Sequence, residues 1–230
     1  MRKILIIIMM QFGVASISAQ DFKFGEVSKE ELLEKFNPVD PSAKATVLYR
    51  REHTSYDLSS NSFNQVREVQ ERIKIYSKEG FDWATKRIVY LSNSNIRGLK
   101  GVTYNLIDGE INKTKIGKEG VFIEKMNKYV RNKKFTFPKV KEGCVIEYKY
   151  NIDLLYAGLD DVNFQYGIPV KRFDLQIVIP EFFKFRTFLN PRSNYIPNYT
   201  YKNNVVIANL TNIPALKNEE FIDNLNNYRA

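Results

Sequence analysis

Two side chains on which enzymes often depend are scarce in this sequence, which has one cysteine, Cys144, and one histidine, His53, in 230 residues. A single cysteine excludes an intrachain disulfide, so the fold must be held by its core. These two residues cannot by themselves supply the three or four ligands that zinc needs. No glycine-rich phosphate loop and no serine elbow is present. The sequence therefore predicts neither a metal nor a cofactor.

Long apolar runs are also missing. The one clear run, Ile4–Met10, follows Arg2 and Lys3 and precedes small residues that end at Ala19. This order is typical of a secretory signal peptide, and the run is too short for the roughly 20 residues that span a bilayer. We expect a signal peptide over residues 1–19, cleavage near Ala19, and a periplasmic or secreted protein without a transmembrane segment.

Acidic residues are outnumbered, since 35 lysines and arginines face 26 aspartates and glutamates and give a formal net charge of +9. Loss of Arg2 and Lys3 with the signal peptide leaves the chain basic. Such a balance favours anionic partners without specifying one. Export argues against nucleic acid as the partner.

A short helix is the first element expected after the signal peptide. Ser28 and Glu31 have the spacing of a capping box, and Leu32, Leu33 and Phe36 are expected on its apolar side. We assign residues 20–42 to this helix and its lead-in.

Strand-like alternation of apolar and polar residues dominates the rest of the chain. Asp108-Gly109 and Asn203-Asn204 mark two hairpin turns. Roughly ten short strands with turns every 8–12 residues predict a mostly β fold, an antiparallel β-sandwich over residues 43–212. Residues 213–230 are polar and acidic, and we expect a connector toward an absent C-terminal domain. The segments predicted as strands are AKATVLYRRE, VREVQERIKIY, GVTYNLIDGEINKTKI, KKFTFPKV, CVIEYKYNI, RFDLQIVIP, FFKFRTFL, YTYK and VVIANL.

The apolar faces of the first two predicted strands differ in one respect. Ala45, Val47 and Tyr49 alternate without interruption in the first. In the second, Glu71 interrupts the apolar face that begins at Val69. The sequence does not identify a partner for this carboxylate.

Cys144 begins the segment CVIEYKYNI and would share a strand face with Ile146, Tyr148 and Tyr150. A nucleophilic thiol needs a base beside it, usually histidine. Nothing in the sequence places His53 near Cys144, and free cysteine commonly serves as a small buried apolar residue. We therefore interpret Cys144 as a core residue and predict no catalytic residue in the chain.

A basic strip without any acidic residue follows residue 124. It could bind lipopolysaccharide or an acidic polymer. The alternative, which the pattern favours, is a solvated lysine-rich loop that leads into an edge strand, where lysines discourage edge-to-edge pairing. The strip consists of Lys125, Lys128, Arg131, Lys133, Lys134, Lys139 and Lys141.

Two longer segments, KFTFPKVKEGCVIEYKYNI and FQYGIPVKRFDLQIVIPEFFKFR, carry a family resemblance. Together with TVLYRRE and RIKIYSKEGFDWA, they resemble the domain of unknown function DUF3857, over roughly residues 43–215. That domain precedes transglutaminase-like (papain-type) domains in exported bacterial proteins. The resemblance implies a β-sandwich without catalytic residues of its own, whereas a Cys, His and Asp triad would lie in the downstream domain, expected to begin about where this chain stops.

Two functional hypotheses follow from these observations. In the first, the chain is a non-catalytic accessory domain of an exported transglutaminase-like protein, truncated before its catalytic domain, which is its partner. In the second, the chain is a free-standing module that binds an envelope carbohydrate, another anionic polymer or a peptide. An enzyme in its own right is the least favoured reading.

Overall fold

The computed structural model describes residues 22–57, 64–155, 158–193, 195–217 and 224–230. The predicted signal peptide lies outside these ranges. Within them, every helix is too short or too polar to cross a lipid bilayer.

Strands form most of the described structure. One short α-helix, α1 (Lys29–Leu33), precedes them, and 3-10 turns occupy Lys78–Ala84, Lys118–Gly120 and Leu225–Tyr228. The strands are β1 (Ala45–Asp57), β2 (Asn64–Ile75), β3 (Thr85–Leu91), β4 (Asn95–Ile107), β5 (Glu110–Lys115), β6 (Val121–Lys125), β7 (Val130–Thr136), β8 (Val145–Leu154), β9 (Val170–Val178), β10 (Thr200–Lys202) and β11 (Val205–Ile213).

Two sheets contain all these strands. The large sheet has the order β10-β11-β9-β1-β2-β8-β4-β5, and the small sheet has the order β3-β7-β6. The predicted mostly β, sandwich-like fold is confirmed. One pairing is not antiparallel, because β1 and β9 run parallel.

The main core lies between the two sheets. Phe135 of β7 packs against Tyr148 of β8 with ring centroids 5.4 Å apart. A second, smaller core covers the opposite face of the large sheet, where Val27 and Leu32 of the N-terminal segment pack on strand residues such as Val145. We call the face toward the small sheet the inner face and the other the outer face. Where the N-terminal segment of the chain packs on it, the large sheet is therefore buried on both faces.

Two β-bulges change which side chains face inward. In β1 the register shifts between Val47 and Tyr49. Val47 lies in the inner core, whereas Tyr49 faces outward and stacks on Phe22 at 4.3 Å. The expectation that both residues share one face is wrong, because the bulge inserts one residue and inverts the alternation after it.

The predicted hairpin turns are confirmed. Asp108 and Gly109 have φ angles of 51° and 78° between β4 and β5, and Asn203 and Asn204 have φ angles of 51° and 59° between β10 and β11. These left-handed angles are the ones that tight hairpin turns require, and glycine, asparagine and aspartate adopt them at the lowest cost.

Two local predictions need correction. The capping box of Ser28 and Glu31 is present, but of the three apolar residues only Leu32 is buried, while Leu33 and Phe36 are exposed. A helix of five residues is too short to present an apolar stripe. The segment FFKFRTFL, residues 182–189, is not a strand but irregular surface structure with several exposed aromatic rings.

The end of the described chain packs on the domain. Ile213 and Leu216 are buried, and the amide of Leu216 donates to the carbonyl of Tyr166 at 2.7 Å. Further on, the carbonyl of Ala230 accepts from the amide of Phe164 at 2.8 Å.

Candidate functional site

A cluster of buried charged side chains lies between the two sheets. It comprises Arg50 and Glu52 of β1, Glu71 of β2, Lys86 of β3 and Tyr148 of β8, and we call it the inner charge cluster. The bulge in β1 directs Arg50 inward, since an unbroken alternation after Val47 would have turned Arg51 there instead. The cluster thus joins three neighbouring strands of the large sheet to the small sheet.

Glu71 is the centre of the cluster. Its Oε2 accepts from Nη1 of Arg50 at 2.5 Å, and its Oε1 accepts from Nζ of Lys86 at 3.1 Å and from the hydroxyl of Tyr148 at 2.9 Å. Arg50 also donates through Nε to Glu52 at 2.7 Å. The side chain of Glu71 is 1% exposed. These contacts identify the partners of Glu71, which the sequence alone did not indicate.

The ionisation of Glu71 follows from these neighbours. Burial alone would raise the pKa of its carboxyl, but the charges of Lys86 and Arg50 outweigh burial and lower the pKa to about 2. For Arg50, burial would lower the pKa, yet Glu52, Tyr166 and Glu71 raise it well above its ordinary value. Glu71 is therefore an ionised, fully engaged carboxylate and a poor general base at neutral pH.

Aromatic rings shield much of the cluster from solvent. Lys86 Nζ lies 4.9 Å from the ring centroid of Trp83, and the guanidinium of Arg50 lies 5.5 Å from that of Tyr166. Cations over aromatic faces are stabilised by the ring quadrupole. The arrangement is typical of a structural ion-pair network that links the two sheets, since both carboxylate oxygens of Glu71 accept hydrogen bonds from within the protein.

Cys144 lies where the sequence predicted, in the inner core. It is 1% exposed, and burial raises the pKa of its thiol. A thiol in that state is a poor nucleophile.

His53 is remote from Cys144. Its Nδ1 lies 3.1 Å from Oε1 of Gln176, and it pairs across the sheet with Glu68. Cys144 bonds to the backbone of Ile75, seven residues further along β2, so about 23 Å separates the two positions. The side chains also point to opposite faces, so they cannot form a catalytic pair in this fold.

The structure brings part of the predicted basic strip together. Lys125 and Arg131 face each other across β6 and β7, and Lys128 lies in the turn between them, over the ring of Tyr129 at 4.6 Å. All three cations are exposed. They form a basic tip on the small sheet.

The other members of the strip are dispersed. Lys133 turns inward, where its Nζ donates to the carbonyl of Ile96 at 3.2 Å, and burial lowers its pKa. Lys134 follows it on the opposite face of β7. Lys139 and Lys141 lie in the loop before β8. The seven residues therefore do not share one surface.

A second set of charges fastens the N-terminal segment to the outer face. Arg72 Nη2 donates to Glu147 at 2.8 Å and its Nη1 donates to Glu31 of α1 at 3.0 Å. Lys74 Nζ donates to the carbonyls of Leu32 and Gly143, each at 2.7 Å, and burial lowers its pKa to about 8. The N-terminal segment therefore buries part of the polar outer face of β2.

Beyond that segment, the outer face carries a basic row that the sequence analysis missed. Arg51, Lys149 and Lys100 lie on the same line across the sheet, with Gln70 between the first two. They line an open cleft of about 460 Å³. A signal was present in the sequence, because the glycine of the segment RGLK within a strand pattern indicates a bulge.

Comparison with known proteins shows a shared fold rather than a shared activity. No curated protein matches the chain. A candidate protease from Parabacteroides distasonis is 15% identical with a TM-score of 0.61, and the match covers 79% of this chain and 38% of that chain. Yeast LTA4 hydrolase with bestatin is 9% identical with a TM-score of 0.33, covering 74% of this chain and 27% of that chain. Of these two, the first alone supports a common fold, and this chain spans well under half of its length.

The family is defined by a match along the sequence. The profile of the domain of unknown function DUF3857, for which a structure has been solved, matches residues 61–217, which is more than half of the chain. The match includes both longer segments of the resemblance and RIKIYSKEGFDWA, whereas TVLYRRE lies before it, and it confirms the resemblance to this family. The chain belongs to the DUF3857 family.

Proposed function

We propose that this domain is a non-catalytic accessory domain of a longer exported protein with a transglutaminase-like (papain-type) catalytic domain, against which it packs. The observation that carries the proposal is an exposed apolar surface beside the C-terminal residues. We call it the C-terminal apolar surface, and its members are Phe188, Leu189 and Ile196.

This surface is unusual for a domain that is stable in isolation. Phe188 is 85% exposed and Ile196 is 71% exposed. Contiguous exposed apolar residues of this size commonly mark a protein interface. A covering domain would remove these rings from water.

The position of the C-terminal residues favours a domain of the same polypeptide as the occupant. Asn190 donates through Nδ2 to the carbonyls of Asn227 and Arg229, each at 2.9 Å. Ala230, Phe188 and Ile196 line one cleft of about 500 Å³. In a polypeptide that continues past residue 230, the next segment would start at this surface, and the tether would give the two domains a high effective concentration.

The chemistry of the chain agrees with an accessory role. Cys144 is buried with a raised pKa, and His53 is on the other face of the sheet. The likeness to part of a longer candidate protease is compatible with a multi-domain setting. Catalysis is therefore assigned to a separate domain.

The first test is the mass of the native polypeptide in the exported fraction of the source cells, detected through peptides from residues 61–217. The proposal expects a mass far above the 26.9 kDa of this chain. A mass at or slightly below 26.9 kDa would contradict it.

A second test addresses the interface. In the longer polypeptide, the double variant Phe188→Asp and Ile196→Asp should separate one cooperative unfolding transition into two. Phe122→Asp is the matched control, because Phe122 is 57% exposed on the small sheet, away from this surface. If both variants behave alike, the C-terminal apolar surface is not the docking site.

A third test concerns activity. The full 230-residue chain should be inert toward peptide and amide substrates. Activity that disappears in a folded Cys144→Ser variant would refute the accessory role.

A further inference from the structure

We call the row of Arg51, Lys149 and Lys100 the outer basic row. The mutual repulsion of its positive charges is unfavourable for the fold. Lys100 and Lys149 are directly opposite each other on β4 and β8, and Arg51 lies two strands away on the same line. Like charges directly opposite on a sheet destabilise it. Within the described part of the chain, none of the three makes an ion pair, although Lys149 Nζ lies 4.9 Å from the ring centroid of Phe24.

Both bulges of the large sheet contribute to this row. In β4 the register shifts between Arg97 and Lys100, with Gly98 at a φ of 65°. Arg97 and Lys100, three residues apart, consequently both face outward, whereas a regular strand would turn one of them inward. The β1 bulge likewise directs Arg51 outward. Bulges that re-aim side chains are frequent beside functional sites.

The neighbouring acids do not neutralise the row. Asp174 lies directly opposite Arg51 on β9 but is engaged by Arg172 at 2.8 Å, and Asp153 is engaged by Arg97 at 2.8 Å. Glu68 is the one carboxylate among the residues that line the cleft, against four cations, so it cannot neutralise them. Arg51, Lys149 and Lys100 are left in excess.

The shape of the cleft favours an extended ligand. Adjacent strands are about 4.8 Å apart, so the row from β1 through β2 and β8 to β4 is about 14 Å long. A single small anion would contact one end of such a row. A linear polyanion with repeated charges would contact all three cations.

We propose that this cleft binds an acidic polysaccharide whose uronate carboxylates contact Arg51, Lys149 and Lys100. The carboxamide of Asn151, which also lines the cleft, suits sugar hydroxyls. None of the residues that line the cleft is aromatic, so it offers no platform for the base stacking typical of single-stranded nucleic acid. This proposal is independent of the accessory role and of the basic strip on the small sheet.

The test is titration of the full-length chain with oligogalacturonate at low salt. Affinity should fall about 5- to 10-fold in Lys100→Gln and in Lys149→Gln, since charge-assisted contacts are lost, and it should weaken as salt rises. The matched controls are Lys125→Gln and Lys128→Gln, which make the same charge change on the basic tip. They should bind as the unaltered chain does.

Two comparison ligands complete the design. A neutral oligosaccharide of the same length should not bind, and a single-stranded oligonucleotide should bind more weakly than oligogalacturonate. The proposal is overturned if oligogalacturonate fails to bind, if the oligonucleotide binds more tightly, or if the tip variants lose affinity while Lys100→Gln and Lys149→Gln do not. Circular dichroism spectra of all four variants check that each remains folded.

Discussion

The inner charge cluster and the outer basic row lie on opposite faces of the large sheet and share the strands β1 and β8, yet their charges are arranged in opposite ways. Arg50 and Arg51 are consecutive in β1, and the first is held by Glu52 and Glu71 while the second is exposed and unpaired among the described residues. In the inner cluster each cation faces a carboxylate. In the outer row two lysines face each other. The difference separates charge that holds the fold together from charge that remains free for a ligand.

The largest expected effect comes from removing the centre of the inner cluster. Glu71→Gln would leave Arg50 and Lys86 buried against a neutral amide. Breaking a buried ion pair from one side costs about 3–5 kcal/mol, and we expect the free energy of unfolding to fall by this amount in urea titrations. The control is Glu68→Gln in the same strand, where the exposed carboxylate should contribute less than about 0.5 kcal/mol. Similar losses of unfolding free energy in both variants would contradict the proposed difference between the two faces of the large sheet.

The adjacent arginines give a sharper comparison. Arg50→Gln should lower the free energy of unfolding by about 3 kcal/mol, because Glu52 and Glu71 lose their shared partner in a buried setting. Arg51→Gln should change it by less than about 0.5 kcal/mol. The side chain of Arg50 is 13% exposed, so the contrast depends on burial as well as on pairing. Equal effects of the two substitutions would show that the bulge in β1 does not orient them as described.

Low pH should selectively reduce the stabilisation that the inner charge cluster provides. The pKa of Glu71 is lowered from its ordinary value of 4.5 to about 2 in the fold. Its contribution is therefore present above pH 4.5 and is lost as the pH falls from 4.5 toward 2. The shift corresponds to about 3 kcal/mol. Urea unfolding at a series of pH values should show this decline in the unaltered chain and a shallower one in Glu71→Gln, and parallel profiles would contradict the assignment.

Local signals in the sequence predicted much of the fold. The positions of the hairpins depend on residues that tolerate positive φ, such as Gly109 and Asn204, and these are visible in the sequence. The face of Cys144 followed from alternation. The aromatic alternation of residues 182–189 suggested a strand, but those rings form exposed surface instead.

The two charged sites could not be predicted from the alternation of apolar and polar residues alone. The bulge at Leu48 leaves no compositional mark, so the inward direction of Arg50 and the partners of Glu71 could not be assigned. Burial of Arg72 and Lys74 requires the N-terminal segment to lie over β2, which is a tertiary contact. Gly98 was the one local clue to the outer row.

The limits of the family match illustrate the same dependence on tertiary structure. The match begins at residue 61, after β1. Yet β1 lies between β9 and β2 and supplies Arg50, so the large sheet would be interrupted without it. A fragment cut at the family boundary should therefore fail to fold, and the folding unit includes residues before 61.

The smallest expected effect concerns the outer row itself. Lys100→Gln removes one of two opposed like charges, so it should raise the free energy of unfolding by about 0.2–1 kcal/mol. Lys115→Gln is the control, because Lys115 is exposed on the same sheet and faces Val102 rather than another cation. The gain should shrink in high salt, where the repulsion is screened. If Lys100→Gln is more stable than the unaltered chain and binds oligogalacturonate less tightly, then Lys100 destabilises the fold and contributes to binding. A loss of stability in Lys100→Gln would mean that Lys100 makes stabilising contacts and that the row carries no unfavourable excess of positive charge.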